Sequence, residues 1–192
     1  MTRHDILPVL LSAATLLTAL TARAERSFLI TDPAQFSCAG SQPASDVFRS
    51  LLDGEKTTSW NSSSGHPSGE HYLEVDLGRP LDLAADEDLV IYIRRADSAS
   101  EAPTTLRMEG SADGSAWTPF AHAYFVYRGP LTEEYSARIR TDAPYRYLRF
   151  TVTANNSRTY YGATDYRTMS MAEFNIIRLK RTDDYSPSRV DR

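Results

Sequence analysis

Apolar and polar residues alternate along four short segments of the chain, with the period of two that is typical of β-strands. These segments are 71–77 (HYLEVDL), 105–110 (TLRMEG), 147–152 (YLRFTV) and 174–179 (FNIIRL). A fifth segment, 89–93 (LVIYI), is a short apolar run rich in β-branched residues. Because all of them are short and bounded by turn-forming residues, the pattern predicts an antiparallel β-sandwich or barrel.

Turn signals separate the predicted strands, and little of the chain is suited to a helix. Gly, Pro, Asp and Ser cluster at 77–80, 112–115 and 142–144. The one helical pattern, 44–52 (ASDVFRSLL), begins where Ser45 or Asp46 could cap a turn or two. The sequence therefore predicts an all-β domain with little helix.

The amino-terminal segment has the composition of a secretory signal peptide. Arg3 precedes an apolar run at 6–20 (ILPVLLSAATLLTAL), which leads to the small-residue site Ala22-Arg23-Ala24 and cleavage before Glu25. The apolar run is shorter than the roughly 20 residues that a membrane-spanning helix needs. We therefore expect a secreted, periplasmic or cell-surface protein. Its expected organisation is a signal peptide at 1–24, one domain at 25–180 and a polar tail at 181–192.

Charge and composition exclude several classes of function. The chain of 192 residues has a formal net charge of −4 and no basic block, which disfavours nucleic acid as a partner. Cys38 is the only cysteine, so an internal disulfide cannot form. No Gly-x-Ser-x-Gly or His-x-x-x-His pattern appears, and the acidic pairs Glu133-Glu134 and Asp183-Asp184 have the character of surface charge. We therefore expect a protein without enzymatic activity.

The stretch 51–62 (LLDGEKTTSWNS) combines an acidic, hydroxyl-rich turn with a tryptophan. Calcium in proteins takes roughly six to eight oxygen ligands from carboxylates, hydroxyls and backbone carbonyls. Asp53 supplies a carboxylate, Thr58 supplies a hydroxyl, and Gly54 tolerates the backbone angles of a tight turn. Two interpretations remain open from these residues alone: a metal-binding turn anchored by Trp60, or a capped turn with Trp60 in the core.

Five motifs occur in order, at 51–60 (LLDGEKTTSW), 71–83 (HYLEVDLGRPLDL), 106–120 (LRMEGSADGSAWTPF), 145–152 (YRYLRFTV) and 169–177 (MSMAEFNII). Together they resemble the discoidin family, also called coagulation factor 5/8 type C domains, whose bacterial members include the family 32 carbohydrate-binding modules. The resemblance spans roughly 36–179, nearly all of the expected mature chain. It implies a β-sandwich of jelly-roll, galactose-binding-like type. It also implies a secreted, non-catalytic, lectin-like module that binds carbohydrate.

The resemblance further implies a structural calcium ion that joins the first and last of these motifs. Its ligands would be the carbonyl oxygen of Ser50 or Leu51, the side chain of Asp53, the carbonyl oxygen of Glu55, the hydroxyl and carbonyl oxygens of Thr58, the carbonyl oxygen of Ala172 and the side chain of Glu173. Trp60 matches the buried aromatic residue of the family, which favours the metal-binding interpretation of the turn.

Family members that bind sugars do so through loops at one end of the sandwich. There, aromatic rings stack on the pyranose ring and polar side chains hydrogen-bond its hydroxyls. In this chain the resemblance points to the loops 61–71 and 155–170 and to the segment 93–97. The candidate carbohydrate-binding residues are Asn61, His66, Arg94, Arg95, Arg158, Tyr160 and Tyr161. Asn61 stands where some galactose binders have His, so galactose itself is not predicted.

Two other kinds of function remain open. The chain could be a protein- or cell-surface-adhesion module, as animal discoidin domains are, or a structural assembly subunit with no small-molecule ligand. The expected partner is a glycan or glycoprotein, and a separately encoded protein partner is the second expectation. Polar loops and the negative net charge disfavour membrane lipid.

Overall fold

The computed structural model of the chain describes residues 27–39, 46–62, 70–95, 102–125, 134–156 and 168–181. The predicted signal peptide at 1–24 and the predicted tail beyond Arg181 lie outside these residues. Within the described ranges, no helix is long and apolar enough to cross a membrane.

Strands make up most of the described chain. Its helices are a single turn of 3-10 helix at Pro33–Gln35 and the short helix α1 at Asp46–Arg49. The strands are β1 (Ser27–Phe28), β2 (Phe36–Cys38), β3 (Trp60–Asn61), β4 (Tyr72–Asp76), β5 (Glu87–Arg94), β6 (Pro103–Ser111), β7 (Thr118–Tyr124), β8 (Glu134–Ile139), β9 (Tyr147–Asn155), β10 (Ser170–Met171) and β11 (Glu173–Lys180).

Two sheets form the layers of a sandwich. One sheet has four strands in the order β1-β11-β5-β8, and the other has five strands in the order β2-β4-β9-β6-β7. A small separate sheet pairs β3 with β10. Every described pairing is antiparallel. The predicted antiparallel β-sandwich with little helix is therefore confirmed.

The hydrophobic core lies between the two sheets and is filled by alternate residues of the strands. Phe150 of β9 and Phe174 of β11 meet there edge to face, with ring centroids 5.0 Å apart. Trp60 is 1% exposed, and its ring centroid lies 6.0 Å from that of Phe48 in α1. The prediction that Trp60 is buried is confirmed, so the acidic turn before it is attached directly to the core.

The longer strands that the sequence pattern did not reveal lie at the edges of the sheets. β7 ends the five-stranded sheet and β8 ends the four-stranded sheet. β7 exposes much of its surface, and the centre of β8 holds only the small residues Ser136 and Ala137 and the exposed Arg138. β7 therefore shows no clear alternation of apolar and polar residues. β8 does alternate Tyr135, Ala137 and Ile139 with polar residues, but the small alanine at its centre makes the pattern weak. The helix is also shorter than the predicted pattern 44–52, because the chain leaves the helical conformation after Arg49 to enter the acidic turn.

Candidate functional site

The turn that follows α1 gathers several oxygen atoms within a few residues. Gly54 has a φ of 81°, a left-handed conformation that glycine adopts without steric cost. Asp53 Oδ1 accepts a hydrogen bond from the backbone N–H of Glu55 at 2.8 Å. The hydroxyl of Thr58 donates a hydrogen bond shared between Asp53 Oδ2, at 2.8 Å, and the carbonyl oxygen of Glu55, at 3.1 Å. A carboxylate, a hydroxyl and a backbone carbonyl therefore lie close together in this turn.

The last strand is held against this turn through backbone and side-chain hydrogen bonds. The backbone N–H of Phe174 donates to the carbonyl oxygen of Leu51 at 3.1 Å. Arg94 Nη1 donates both to the carbonyl oxygen of Gly54, at 3.0 Å, and to Glu173 Oε1, at 2.8 Å. We call the turn Leu51–Thr58, Arg94 and the segment Ala172–Phe174 the clasp, because these contacts join the two ends of the domain.

Two glutamates lie opposite Arg94 on the neighbouring strands of the four-stranded sheet. In the four-stranded sheet, Arg94 is in register with Glu173 on one neighbouring strand and with Glu134 on the other. The hydrogen bond with Glu173 is the main reason that the pKa of Arg94 is raised, and Glu134 adds to the effect. The hydroxyl of Tyr92 donates to Glu134 at 3.0 Å, and burial raises the pKa of that hydroxyl. These two glutamates and one arginine together carry a negative charge, which favours the binding of a cation.

Solvent reaches the clasp. The side chains of Arg94 and Glu173 are 24% and 18% exposed. A cavity of about 490 Å³ opens beside them, and its wall includes Leu51, Leu52 and Gly54 of the turn together with Glu173. An ion from solution can therefore approach the carboxylate of Glu173 without the sandwich opening.

The donor set of the clasp fits a hard cation such as calcium. Its atoms are carboxylate, carbonyl and hydroxyl oxygens, which are the ligands that calcium takes. In the described part of the chain, no three His, Cys, Asp or Glu side chains form a metal-binding group, so backbone and hydroxyl oxygens would have to complete any site here. Two predicted ligands lie at the borders of the clasp. The hydroxyl of Ser50 donates to the carbonyl oxygen of Val47, and the backbone N–H of Ala172 donates to the carbonyl oxygen of Arg94.

A second group of contacts ties together the bases of the predicted binding loops. β3 pairs with β10, so that Trp60 faces Met171 and Asn61 faces Ser170. One step further along the chain, the backbone N–H of Ser62 donates to the carbonyl oxygen of Met169 at 2.9 Å. The start of the loop 61–71 therefore lies beside the end of the loop 155–170.

After the third predicted segment, 93–97, the next described residue is Ala102, and it lies beside the base of the loop 155–170. The backbone N–H of Asn156 donates to the carbonyl oxygen of Ala102 at 3.0 Å. The side-chain amide of Asn155 donates to the carbonyl oxygen of Thr168 at 2.7 Å. The bases of the segments 63–69, 96–101 and 157–167 are thus connected at one end of the sandwich, next to the clasp.

The predicted carbohydrate-binding residues divide into two groups. Asn61 is half-buried on β3, Arg94 lies in the clasp, and Arg95 is half-buried directly after β5. The others, His66, Arg158, Tyr160 and Tyr161, lie outside the described residues. These assignments stay predictions.

Sequence reasoning missed the residues that brace the loop bases. The hydroxyl of Ser62 accepts a hydrogen bond from the backbone N–H of Met169 at 2.8 Å, and His71 Nδ1 lies 3.0 Å from the carbonyl oxygen of Ser62. His71 is buried, with 3% of its surface exposed. The available signal was weak, because Ser and Asn are common in any loop and hydrogen-bond the backbone readily.

Comparison with known families decides the identity of the fold. The profile of the F5/8 type C domain matches residues 35–165 of this chain. The chain belongs to the F5/8 type C domain family. The matched region of this F5/8 type C domain includes the acidic turn and reaches the last predicted loop, and β11 follows it. No curated protein sequence gives a significant match.

Solved structures share the galactose-binding-like fold of this F5/8 type C domain. An F5/8 type C domain from Bacteroides fragilis superposes with a TM-score of 0.54 at 16% identity, over 82% of this chain and 99% of that one. CpGH89CBM32-5 from Clostridium perfringens, in complex with GalNAc-β-1,3-galactose, gives a TM-score of 0.52 at 13% identity, over 78% and 99%. CBM32-3 from a family 31 glycoside hydrolase of Clostridium perfringens gives 0.51 at 19% identity, over 77% and 93%. At these identities the likeness establishes the fold alone.

Proposed function

We propose that this F5/8 type C domain is a secreted, non-catalytic carbohydrate-binding module that binds glycan through the loops at one end of its sandwich. The observation that carries the proposal is the hydrogen bonding of three loop bases to one another, next to the clasp. Loops held together at their bases can present side chains from distant parts of the sequence to one ligand. A structural neighbour with a bound disaccharide supports the ligand class.

The residue types of these loops suit the recognition of a sugar. Tyr160 and Tyr161 can stack on the apolar face of a pyranose ring, since aromatic rings supply a rigid apolar surface. Arg95, Arg158 and the other predicted polar residues, Asn61 and His66, can hydrogen-bond its hydroxyl groups.

We also propose that the clasp binds one structural calcium ion, with Asp53, Thr58 and Glu173 among its ligands. The ion supplies a concentrated positive charge that joins the turn to the last strand. Because the segments that meet at the clasp are distant in the sequence, the site exists only in the folded domain, and calcium then stabilises the fold by binding to that state alone. The loop bases follow directly from both segments, so their positions depend on the clasp.

The glycan proposal is tested by screening the mature protein on a glycan array and then titrating the best ligand by calorimetry. We expect Tyr160→Ala and Tyr161→Ala each to weaken binding by about tenfold or more, because a stacked ring is lost. The matched control is Tyr147→Ala, which removes a half-buried tyrosine at the opposite end of β9 from the loop base at Asn155. That control must leave the affinity unchanged.

Two results would count against the proposal. If both loop variants keep the wild-type glycan affinity, the binding surface does not include Tyr160 and Tyr161 of the loop 155–170. A blank array, together with specific capture of one protein partner by the mature chain, would favour the adhesion alternative.

A further inference from the structure

Arg94 already joins the two segments that calcium is proposed to join. Its Nη1 atom donates to the carbonyl oxygen of Gly54 at 3.0 Å and to Glu173 Oε1 at 2.8 Å. One acceptor belongs to the acidic turn and the other to the last strand. The clasp therefore closes through a cation that belongs to the chain itself.

We propose that Arg94 is the resident cation of the clasp and competes with a divalent ion for Glu173. This inference rests on the calcium site proposed above, and it adds the residue that determines how tightly that site binds. A guanidinium and a calcium ion on one carboxylate repel each other strongly at such short distances. Binding of the ion is therefore coupled to the loss of the bond between Arg94 and Glu173.

The sheet offers Arg94 a second acidic neighbour. Arg94 lies on β5 between Glu173 of β11 and Glu134 of β8, in register with both. Directly opposite residues of neighbouring strands have their side chains on the same face of the sheet, within reach of each other. When an ion takes Glu173, the guanidinium can turn towards Glu134 without leaving the surface of the sheet.

The hydrogen bonding of Arg94 is also incomplete. Only Nη1 contacts Glu173, and the buried Nε of Arg94 has no hydrogen-bond partner in the part of the chain that the structure describes. By contrast, Arg146 holds Asp76 with two parallel bonds, of 2.8 and 2.7 Å. Two-bond pairs are the stronger geometry, so the bond between Arg94 and Glu173 costs less to break.

The test compares the mature wild-type protein with Arg94→Met in two measurements. Calorimetry gives the calcium affinity, and thermal unfolding in chelator gives the stability of the metal-free protein. Methionine keeps the apolar stem and removes the charge. We expect Arg94→Met to bind calcium about tenfold tighter or more, the size of effect that one nearby charge has on a carboxylate. In chelator we expect its Tm to fall by about 2–8 °C, because Glu173 loses its partner.

Two further variants separate competition from a purely structural role. Arg94→Lys keeps the positive charge. Its calcium affinity must therefore differ less from the wild-type affinity than the calcium affinity of Arg94→Met does. Arg146→Met breaks an arginine–carboxylate pair away from the clasp and must leave calcium affinity unchanged. If Arg94→Met does not fold, NMR of the arginine side chains in the wild type provides the measurement, because the Arg94 resonance must lose its hydrogen-bonded shift during a calcium titration.

The outcomes distinguish this inference from the calcium proposal itself. If Arg94→Met binds calcium no tighter than the wild type, Arg94 supports Glu173 instead of competing for it, and the inference is wrong while the calcium site stands. If only Arg94→Met binds calcium, the inference stands and the native clasp works without metal. If neither protein binds calcium, both are wrong.

Discussion

Two turns of the molecule are built on the same Asp-Gly pair and behave differently. Gly54 has a φ of 81° and Gly114 has a φ of 79°, so the backbone makes nearly the same turn at both. At Ser111–Ala116, one carboxylate oxygen of Asp113 accepts hydrogen bonds from the backbone N–H groups of Ser115, at 2.8 Å, and Ala116, at 3.1 Å. The hydroxyl of Ser111 bonds the same oxygen at 3.0 Å, so this hairpin turn satisfies itself locally.

The turn at Asp53 instead makes bonds that reach far along the sequence. Its carboxylate bonds to Glu55 and Thr58, but the carbonyl oxygen of Gly54 accepts from Arg94, which is 40 residues away. Arg94 in turn bonds to Glu173. The difference shows that an Asp-Gly pair specifies a turn and does not specify whether the turn has a distant partner.

Replacing the tryptophan near each turn should give the largest difference between them. Trp60→Ala removes a side chain that is 1% exposed and should lower the free energy of unfolding by about 3–5 kcal/mol. Trp117 is half-buried, and its ring lies 3.9 Å from the guanidinium carbon of Arg149. Trp117→Ala should cost about 1 kcal/mol, the scale of a partly exposed cation–π contact. Denaturant unfolding of both variants makes the measurement, and equal losses would contradict the burial of Trp60 in the core.

The response to calcium should distinguish the two aspartates. With calcium at about 100 times its dissociation constant, binding to the folded state alone stabilises by about 2.7 kcal/mol. Asp53→Asn should remove most of this stabilisation, because the ligand set loses a carboxylate. Asp113→Asn should retain it in full. Thermal unfolding with calcium and with chelator tests both variants, and an unchanged calcium response in Asp53→Asn would exclude the turn as the binding site.

The strands of the core could be predicted because burial leaves a pattern in the sequence. β4 and β9 place apolar residues on the core face, β11 buries apolar residues on both faces, and each strand was found within three residues of its bounds. β7 was missed because it buries few side chains and shows no such alternation. β8 does alternate Tyr135, Ala137 and Ile139 with polar residues, but the run is short and its central core residue is a small alanine.

The clasp was only partly predictable. Asp53 and Thr58 could be named from the acidic, hydroxyl-rich turn, and Glu173 from the resemblance of short motifs to those of a known family. The contact of Arg94 with Glu173 depends on the register between β5 and β11, which is a three-dimensional property. Arg94 was therefore interpreted as a sugar-binding residue only, and its position between two glutamates could not be read from the order of residues.

Alanine at either glycine should have a moderate and similar effect. A residue with a Cβ pays about 1–2 kcal/mol in the left-handed conformation. No atom lies within 4 Å of the position of a Cβ at Gly54, and at Gly114 the nearest is an atom of the Tyr147 ring, 3.6 Å away, which is an ordinary contact. Gly54→Ala and Gly114→Ala should therefore lose about the same stability in chelator. A much larger loss at Gly54 would show that the bond between Arg94 and the Gly54 carbonyl contributes strongly to the metal-free fold.

Acid should weaken the hairpin turn through Asp113. This effect should be smaller than those of the tryptophan, calcium and glycine experiments. The backbone N–H groups of Ser115 and Ala116, together with the Ser111 and Ser115 side chains, lower the pKa of Asp113. A carboxyl group with a lowered pKa contributes stability above its unfolded pKa of about 3.9 and loses that contribution as the pH falls through the folded value. Asp113→Asn should therefore show a smaller loss of Tm between pH 5 and strongly acidic conditions than the wild type does. NMR titration of the carboxyl carbon checks the cause directly, and a midpoint at or above the ordinary value would refute the role of these hydrogen bonds.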